Sequence, residues 1–280
     1  MFAKKFLKFV LLSASFLTLG CSMNSWTSIS SQTESVHRVS NGTLEIVGEL
    51  PDSGYLPLMD ELKATLRDMQ ELLDLPDMRE SARIQVFSSD YDLEKAIRKK
   101  SKIIPLRRTY FFENISSGEM EILVKYTDYI ADDLRHESAH AYLHGICSHL
   151  PLWLDEGLAE YFEPSRTTQG YQPRHINRLM RMMNSSSWKP NLARLDALEH
   201  SIQYDLTVEE YAHSWIWVHF LINDSPETKR LLQNYLQGLE RKETPTPLSE
   251  QIRKLYPDCD SRVTSYLLEM NRRLAEEQAY

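Results

Sequence analysis

The feature that most constrains this chain is His136-Glu137-Ser138-Ala139-His140, an HExxH motif. In a helix, residues four positions apart lie on the same face one turn apart, so both imidazoles can bind one metal ion. Glu137 follows the first histidine, where its carboxylate can take a proton from a water molecule on the metal. The motif therefore predicts two ligands and a general base of a zinc site, and a catalytic zinc needs a third protein ligand.

A second segment, Trp153-Leu154-Asp155-Glu156-Gly157-Leu158-Ala159-Glu160-Tyr161, offers that ligand. Fifteen residues separate His140 from Glu156, which is enough for a turn and the start of a second helix packed against the first. The two segments together favour a zinc hydrolase over a binding module.

In these residues the chain resembles the gluzincin metallopeptidases, which pair an HExxH helix with a following helix that carries a ligand glutamate. The residues around Glu156 are similar to the zinc-ligand segment of aminopeptidase-N-like enzymes and to small bacterial peptidase-MA-like domains. The resemblance is specific over 127–163 and looser over 204–223. It implies that Glu156 is the third ligand and that Glu160 holds a ligand histidine by its other ring nitrogen.

The same resemblance extends to 211–221, because aminopeptidase-N-like enzymes open a comparable helix with an oxyanion-binding tyrosine. It implies this role for Tyr211, with His213 as the alternative by analogy with thermolysin-like enzymes. A metzincin site is excluded, since Leu143 and Ile146 stand where glycine and histidine are required. His144 is either a rival ligand or a histidine at the favourable C-terminal end of its helix.

The first 21 residues predict a lipoprotein signal peptide. Three lysines precede an apolar run at 9–19, which has the length of a signal-peptide core and is too short to span a bilayer. The run ends in Leu-Thr-Leu-Gly-Cys, which resembles a bacterial lipobox and implies that Cys21 is lipidated. Because Ser22 follows, the resemblance implies the periplasmic face of the outer membrane if the cell is Gram-negative. Residues 22–41 are predicted to be a flexible tether.

Composition places limits on partners and redox state. The 280 residues carry a formal net charge of -8 and no strongly basic stretch after the signal peptide, so nucleic acid is excluded as an expected partner. Only Cys147 and Cys259 remain after Cys21. In an exported protein they are either a disulfide or two free buried thiols.

The hydrophobic periodicity predicts an α+β chain with one domain at 42–280. Its N-terminal part is a mixed sheet with helices, with strands at 43–50, 83–87, 108–112 and 119–126 and helices at 58–75 and 91–99. Its C-terminal half is mainly helical, with helices at 127–144, 151–162, 174–184, 207–223, 226–240, 247–255 and 260–277. The strand that begins at Glu119 is interpreted as an edge strand. With the resemblance, this plan is that of a zincin-like, gluzincin catalytic domain.

The sequence thus predicts a lipid-anchored zinc metallopeptidase of the cell envelope. Its expected partners are a peptide or protein substrate and, through its N-terminal lipid, the membrane. A zinc amidase acting on cell-wall peptides and a non-catalytic envelope binding lipoprotein on the same scaffold stay open as alternatives. The choice between endo- and exopeptidase activity also stays open.

Overall fold

The computed structural model describes residues 35–38, 44–48, 52–78, 80–101, 107–114, 117–147, 149–198 and 206–277. The signal peptide, Cys21 and most of the segment interpreted as a tether lie outside these residues. The described part of that segment is a strand at Ser35–Arg38, so these four residues are not a flexible tether.

Within the described ranges, five strands form one mixed sheet with the order β1-β2-β3-β5-β4. Their bounds are β1 Ser35–Arg38, β2 Leu44–Gly48, β3 Ala82–Phe87, β4 Thr109–Asn114 and β5 Glu119–Lys125. β2, β3 and β5 are parallel, whereas β1 and β4 pair antiparallel at the two edges. The interpretation of the Glu119 strand as an edge strand was wrong, because β5 pairs on both sides and β4 is the edge next to it. β3 and β5 pair in parallel through a long crossover connection, and local hydrophobic periodicity does not indicate such a pairing.

Ten helices surround and follow this sheet in the described residues. Their bounds are α1 Asp52–Leu73, α2 Asp90–Lys100, α3 Ile130–His144, α4 Leu152–Phe162, α5 Pro173–Asn184, α6 Leu192–Asp196, α7 Val208–Asn223, α8 Pro226–Glu240, α9 Leu248–Leu255 and α10 Cys259–Glu277. Local chemistry explains several starts. Thr207 and Glu210 form a reciprocal capping box at α7, and Pro173 opens α5, where its missing N–H costs nothing.

The α+β fold class is confirmed, and most predicted elements agree with the structure to within a few residues. The helix predicted over 127–144 begins later, at Ile130, because Thr127 caps the preceding turn by accepting from the backbone N–H of Tyr129 over 3.2 Å. α6 was not predicted, since five residues are too short to show a helical period.

The main core lies between the sheet and the helices, and three tryptophans are the largest side chains fully buried in the described residues. Trp153, Trp215 and Trp217 are fully buried. Trp153 donates to Asp196 over 2.8 Å and Trp215 to the carbonyl of Gly170 over 2.9 Å, which ties α4 and α7 to the chain around them. Among the described residues, no helix is both long and apolar enough to span a bilayer.

The two cysteines of the described region are free thiols. Cys147 and Cys259 are both buried and unpaired with one another. Of the two alternatives that the sequence left open, the structure has the free thiols. Burial raises the pKa of Cys147 to about 12, so this thiol is unreactive at neutral pH.

Candidate metal centre

Two adjacent helices supply the candidate centre, and both are buried almost all round. In α3 the side chains from Asp133 to Leu143 are buried, and in α4 every residue is. α4 approaches α7 very closely at Gly157, where an added Cβ would lie 2.6 Å from the carbonyl oxygen of Ser214. The glycine beside Glu156 therefore sets the depth at which that carboxylate faces α3.

His136, His140 and Glu156 come together, as the sequence predicted. Nε2 of His136 lies 3.8 Å from Oε2 of Glu156, and Nε2 of His140 lies 3.9 Å from the same oxygen. The three ligand atoms all lie within 4.8 Å of one another. A tetrahedral zinc with bonds of about 2.1 Å separates its ligand atoms by about 3.4 Å, and the two distances to Glu156 exceed this value by roughly half an ångström.

The bonding state of these atoms also fits a metal ion. Within the described part of the chain, His136 Nε2, His140 Nε2 and Glu156 Oε2 are buried and have no hydrogen-bond partner. Buried polar atoms are nearly always paired, so three unpaired atoms that face one another need an explanation. Two imidazole nitrogens and one carboxylate oxygen are a donor set that zinc prefers, and the residues therefore fit the ion.

Glu137 lies beside this cluster with both carboxylate oxygens buried and, among the described residues, without hydrogen-bond partners. Burial raises its pKa to about 8, although the charge of His136 acts in the opposite direction. Burial likewise raises the pKa of Glu156 well above its usual range. For both carboxylates burial outweighs the charge of His136, and a divalent cation would stabilise their ionised forms.

The other ring nitrogen of His140 is held by a carboxylate. Nδ1 donates to Oδ1 of Asp155 over 2.7 Å, which leaves the lone pair of Nε2 facing Glu156. Burial lowers the pKa of His140 to about 4, which keeps the ring neutral and able to bind a metal. The opposite oxygen of Asp155 accepts from Nε2 of His144 over 2.9 Å. Burial opposes a charge on Asp155, but the two rings outweigh it and hold its pKa well below the usual range.

Glu163, and not Glu160, is the carboxylate that contacts the other ring nitrogen of His136. The distance from His136 Nδ1 to Glu163 Oε2 is 3.2 Å. Burial opposes a charge on this ring, but the hydrogen bond and the surrounding carboxylates raise its pKa to about 10. The role implied for Glu160 was wrong. Its Oε2 instead accepts from Arg174 over 2.6 Å and contacts Nε2 of His175 at 2.8 Å, because α5 brings both side chains to it.

Tyr211 and His213 take different positions at the start of α7. The hydroxyl of Tyr211 donates to Oε1 of Glu156 over 3.2 Å, so this side chain reaches the centre. The ring of His213 packs edge-on against Trp188, with centroids 5.0 Å apart. Residues two positions apart in a helix lie about 200° apart around its axis, so Tyr211 and His213 point to different sides of α7. Of the two alternatives, Tyr211 is the one that hydrogen-bonds Glu156, and the oxyanion role itself stays a prediction.

Several residues of the centre were not assigned from the sequence. Asp155 could have been, because it directly precedes the predicted ligand. Glu163 lies seven residues after Glu156, on the same helical face, and is distinguishable from Glu160 only by the position of α5. Glu113 comes from β4 and gave no local signal, since its contact at 2.8 Å with Nδ1 of His144 spans 31 residues.

Comparisons with known proteins are distant. A family described as "Protein of unknown function (DUF1570)" matches residues 130–243, a range that includes the whole HExxH motif and Tyr211. No match to a curated protein was found. The M1 zinc metallopeptidase of Deinococcus radiodurans and a mutant of it are similar in structure, each with 14% identity and a TM-score of 0.37. The alignment covers 85% of this chain and 51% of that enzyme, so the chain spans about half its length.

Proposed function

We propose that this protein is a zinc-dependent metallopeptidase of gluzincin type. The observation that carries the proposal is the convergence of three buried, unpaired ligand atoms of His136, His140 and Glu156 beside the unpaired carboxylate of Glu137. A scaffold that only bound a partner would gain nothing from leaving these nitrogen and oxygen atoms unpaired, because each costs free energy when buried. The arrangement has a use only when a cation and a water molecule complete it.

His136, His140 and Glu156 would hold the zinc ion. When bound there, zinc polarises a carbonyl and lowers the pKa of a water molecule to about 7. Glu137 would accept the proton of the attacking water and deliver it to the leaving amine as the peptide bond breaks. Asp155 and Glu163 bind Nδ1 of the two imidazoles, which leaves both Nε2 atoms turned toward Glu156 as the atoms that would hold zinc.

Tyr211 is the proposed donor to the oxyanion that forms at the scissile carbonyl. Its hydroxyl already lies within the centre, where its acceptor is Glu156 Oε1 at 3.2 Å, a long distance for an O–H donor. A developing negative charge on the substrate oxygen would be a stronger acceptor than this carboxylate oxygen. The hydroxyl would then exchange one acceptor for the other during the reaction.

Export and lipid anchoring complete the proposal. Its support is the signal-like run at 9–19 and the lipobox that ends at Cys21. The expected mature form carries acyl chains on Cys21 and acts on peptides or proteins in the cell envelope. Mass spectrometry of the mature N-terminus tests this part, and a terminus without an acyl group at Cys21 would contradict it.

The decisive experiment compares the purified wild-type protein with Glu137→Gln. The wild-type protein is expected to contain one zinc per chain and to cleave members of a peptide library. Glu137→Gln is expected to retain the zinc and lose cleavage by about 10²- to 10⁴-fold, the usual contribution of a general base. Glu121→Gln, a half-buried glutamate on β5, is the matched control and should cleave like the wild type. Zinc without cleavage in any arm would contradict the peptidase proposal.

A further inference from the structure

We propose that His144 and Glu113 are positioning residues of the metal centre, which act on His140 through Asp155. This inference rests on the proposed zinc function. Four side chains are joined in sequence by three contacts, and we call them the orienting chain: Glu113, His144, Asp155 and His140. The contacts are 2.8 Å from Glu113 Oε2 to His144 Nδ1, 2.9 Å from His144 Nε2 to Asp155 Oδ2, and 2.7 Å from Asp155 Oδ1 to His140 Nδ1.

The contacts of His144 exclude it as a rival ligand. Each of its ring nitrogens faces a carboxylate oxygen, so both nitrogens donate and neither has a lone pair for a metal. His144 lies one turn beyond His140 on the same face of α3. His144 therefore lies on the same helical face as the two ligand histidines, but it donates to Asp155 and does not bind the metal.

Asp155 is the member through which the effect passes. Its side chain is fully buried, and its two oxygens accept from two different imidazoles. A carboxylate held at both oxygens cannot rotate, so the ring of His140 is fixed in one plane. Without His144, Oδ2 would be a buried charge with one partner fewer, and the carboxylate could turn toward another donor. His140 would then lose its orientation although its own contact partner is unchanged.

The edge strand β4 anchors the far end of the orienting chain. Phe111 and Glu113 are two residues apart in β4 and point to the same face of the sheet. Phe111 stacks on the ring of His140 with centroids 6.2 Å apart, and its ring meets His144 edge-on at 5.2 Å. The rings of His140 and His144 are thus held by β4 as well as by Asp155, and these contacts together fix the planes of the two rings.

The test measures the affinity of the purified protein for Zn²⁺ by competition with a chelating dye, and the visible absorption spectrum of the Co²⁺-loaded protein. His144→Ala is expected to weaken zinc binding by about tenfold, the lower end of the 10- to 100-fold loss seen when a residue that orients a metal ligand is mutated. It is also expected to change the visible absorption bands of the Co²⁺-loaded protein. His144→Gln keeps a donor toward Asp155 and should restore most of the affinity. Glu113→Ala should also weaken binding, whereas Glu113→Gln keeps an acceptor for Nδ1 and should bind like the wild type.

The control is His219→Ala, which removes another buried histidine, one that contacts the hydroxyl of Tyr266 at 2.8 Å in a different region of the core. It should leave the zinc affinity and the Co²⁺ spectrum unchanged. If thermal denaturation shows that His144→Ala does not fold, the comparison of Glu113→Ala with Glu113→Gln tests the proposal instead, because Glu113 is partly exposed and its substitution should not prevent folding. Unchanged binding in both alanine variants, or an equal loss in His219→Ala, would overturn the orienting chain alone. A wild-type protein without affinity for zinc would overturn both proposals.

Discussion

The hydroxyl of Tyr211 donates a hydrogen bond to Glu156 across 3.2 Å, although the two residues are 55 positions apart in the sequence. It joins the start of α7 to the centre of α4, at the carboxylate oxygen that does not face the histidines. The contact gives Tyr211 two conceivable roles, which are to hold Glu156 and to donate to the substrate oxyanion. The two roles predict different measurements.

Tyr211→Phe separates them. If the hydroxyl serves the oxyanion, we expect the turnover number to fall by about 10²- to 10³-fold, the effect of losing one such donor. The zinc affinity should change by only a few fold, since Glu156 retains its position in α4. Steady-state kinetics and zinc titration on the same preparation check both quantities. A loss of zinc affinity as large as the loss of turnover would assign Tyr211 to holding Glu156 instead.

Glu163→Gln and Glu160→Gln form a second comparison. Glu163 contacts His136 directly, so its substitution should weaken zinc binding by about 10- to 100-fold. Glu160 contacts Arg174 and His175, so its substitution should lower the free energy of unfolding by about 1–3 kcal/mol and affect zinc less. Zinc titration and urea denaturation measure the two effects. The reverse order of the zinc affinities would restore the role that the sequence implied for Glu160.

Gly157→Ala tests whether the contact of α4 with α7 sets the position of Glu156. The new Cβ would lie 2.6 Å from a backbone oxygen, which cannot move as a side chain can. We expect a loss of about 1–3 kcal/mol in the free energy of unfolding, the usual cost of overpacking, together with weaker zinc binding. Gly238→Ala in α8 is the control, because the nearest atom to its Cβ is a flexible glutamate side chain at 3.3 Å. Two variants of equal stability would contradict this account of Gly157.

Zinc should stabilise the folded protein. At a free zinc concentration of about 100 Kd, binding to the native state alone adds about 2.7 kcal/mol to the free energy of unfolding. For a chain of this size that corresponds to a rise in Tm of roughly 5 to 10 °C. Thermal denaturation with zinc and with a chelator measures the difference. His140→Ala should show no such rise, and an equal rise in this variant would place the stabilising ion elsewhere.

Much of the centre could be predicted because it is local. The spacing of His136 and His140 determines their common face wherever the segment is helical, and Glu137 follows from the same motif. Fold class and most element bounds were also predictable, since they follow from hydrophobic period and from caps and breakers within a few residues. The third ligand needed a resemblance in addition, because its distance from His140 in space depends on how two helices pack.

Only the tertiary structure decided the contacts between elements that are distant in sequence. Whether Glu160 or Glu163 contacts His136 depends on α5, in which His175 contacts Glu160 alone and Arg174 donates to both carboxylates. Whether His144 is a ligand depends on Glu113 in β4 and Asp155 in α4. The sequence by itself determined which donors exist and on which helical face they lie. Packing decided which of them face the metal and which hold the others, because a hydrogen bond is set by ångströms in space and not by spacing along the chain.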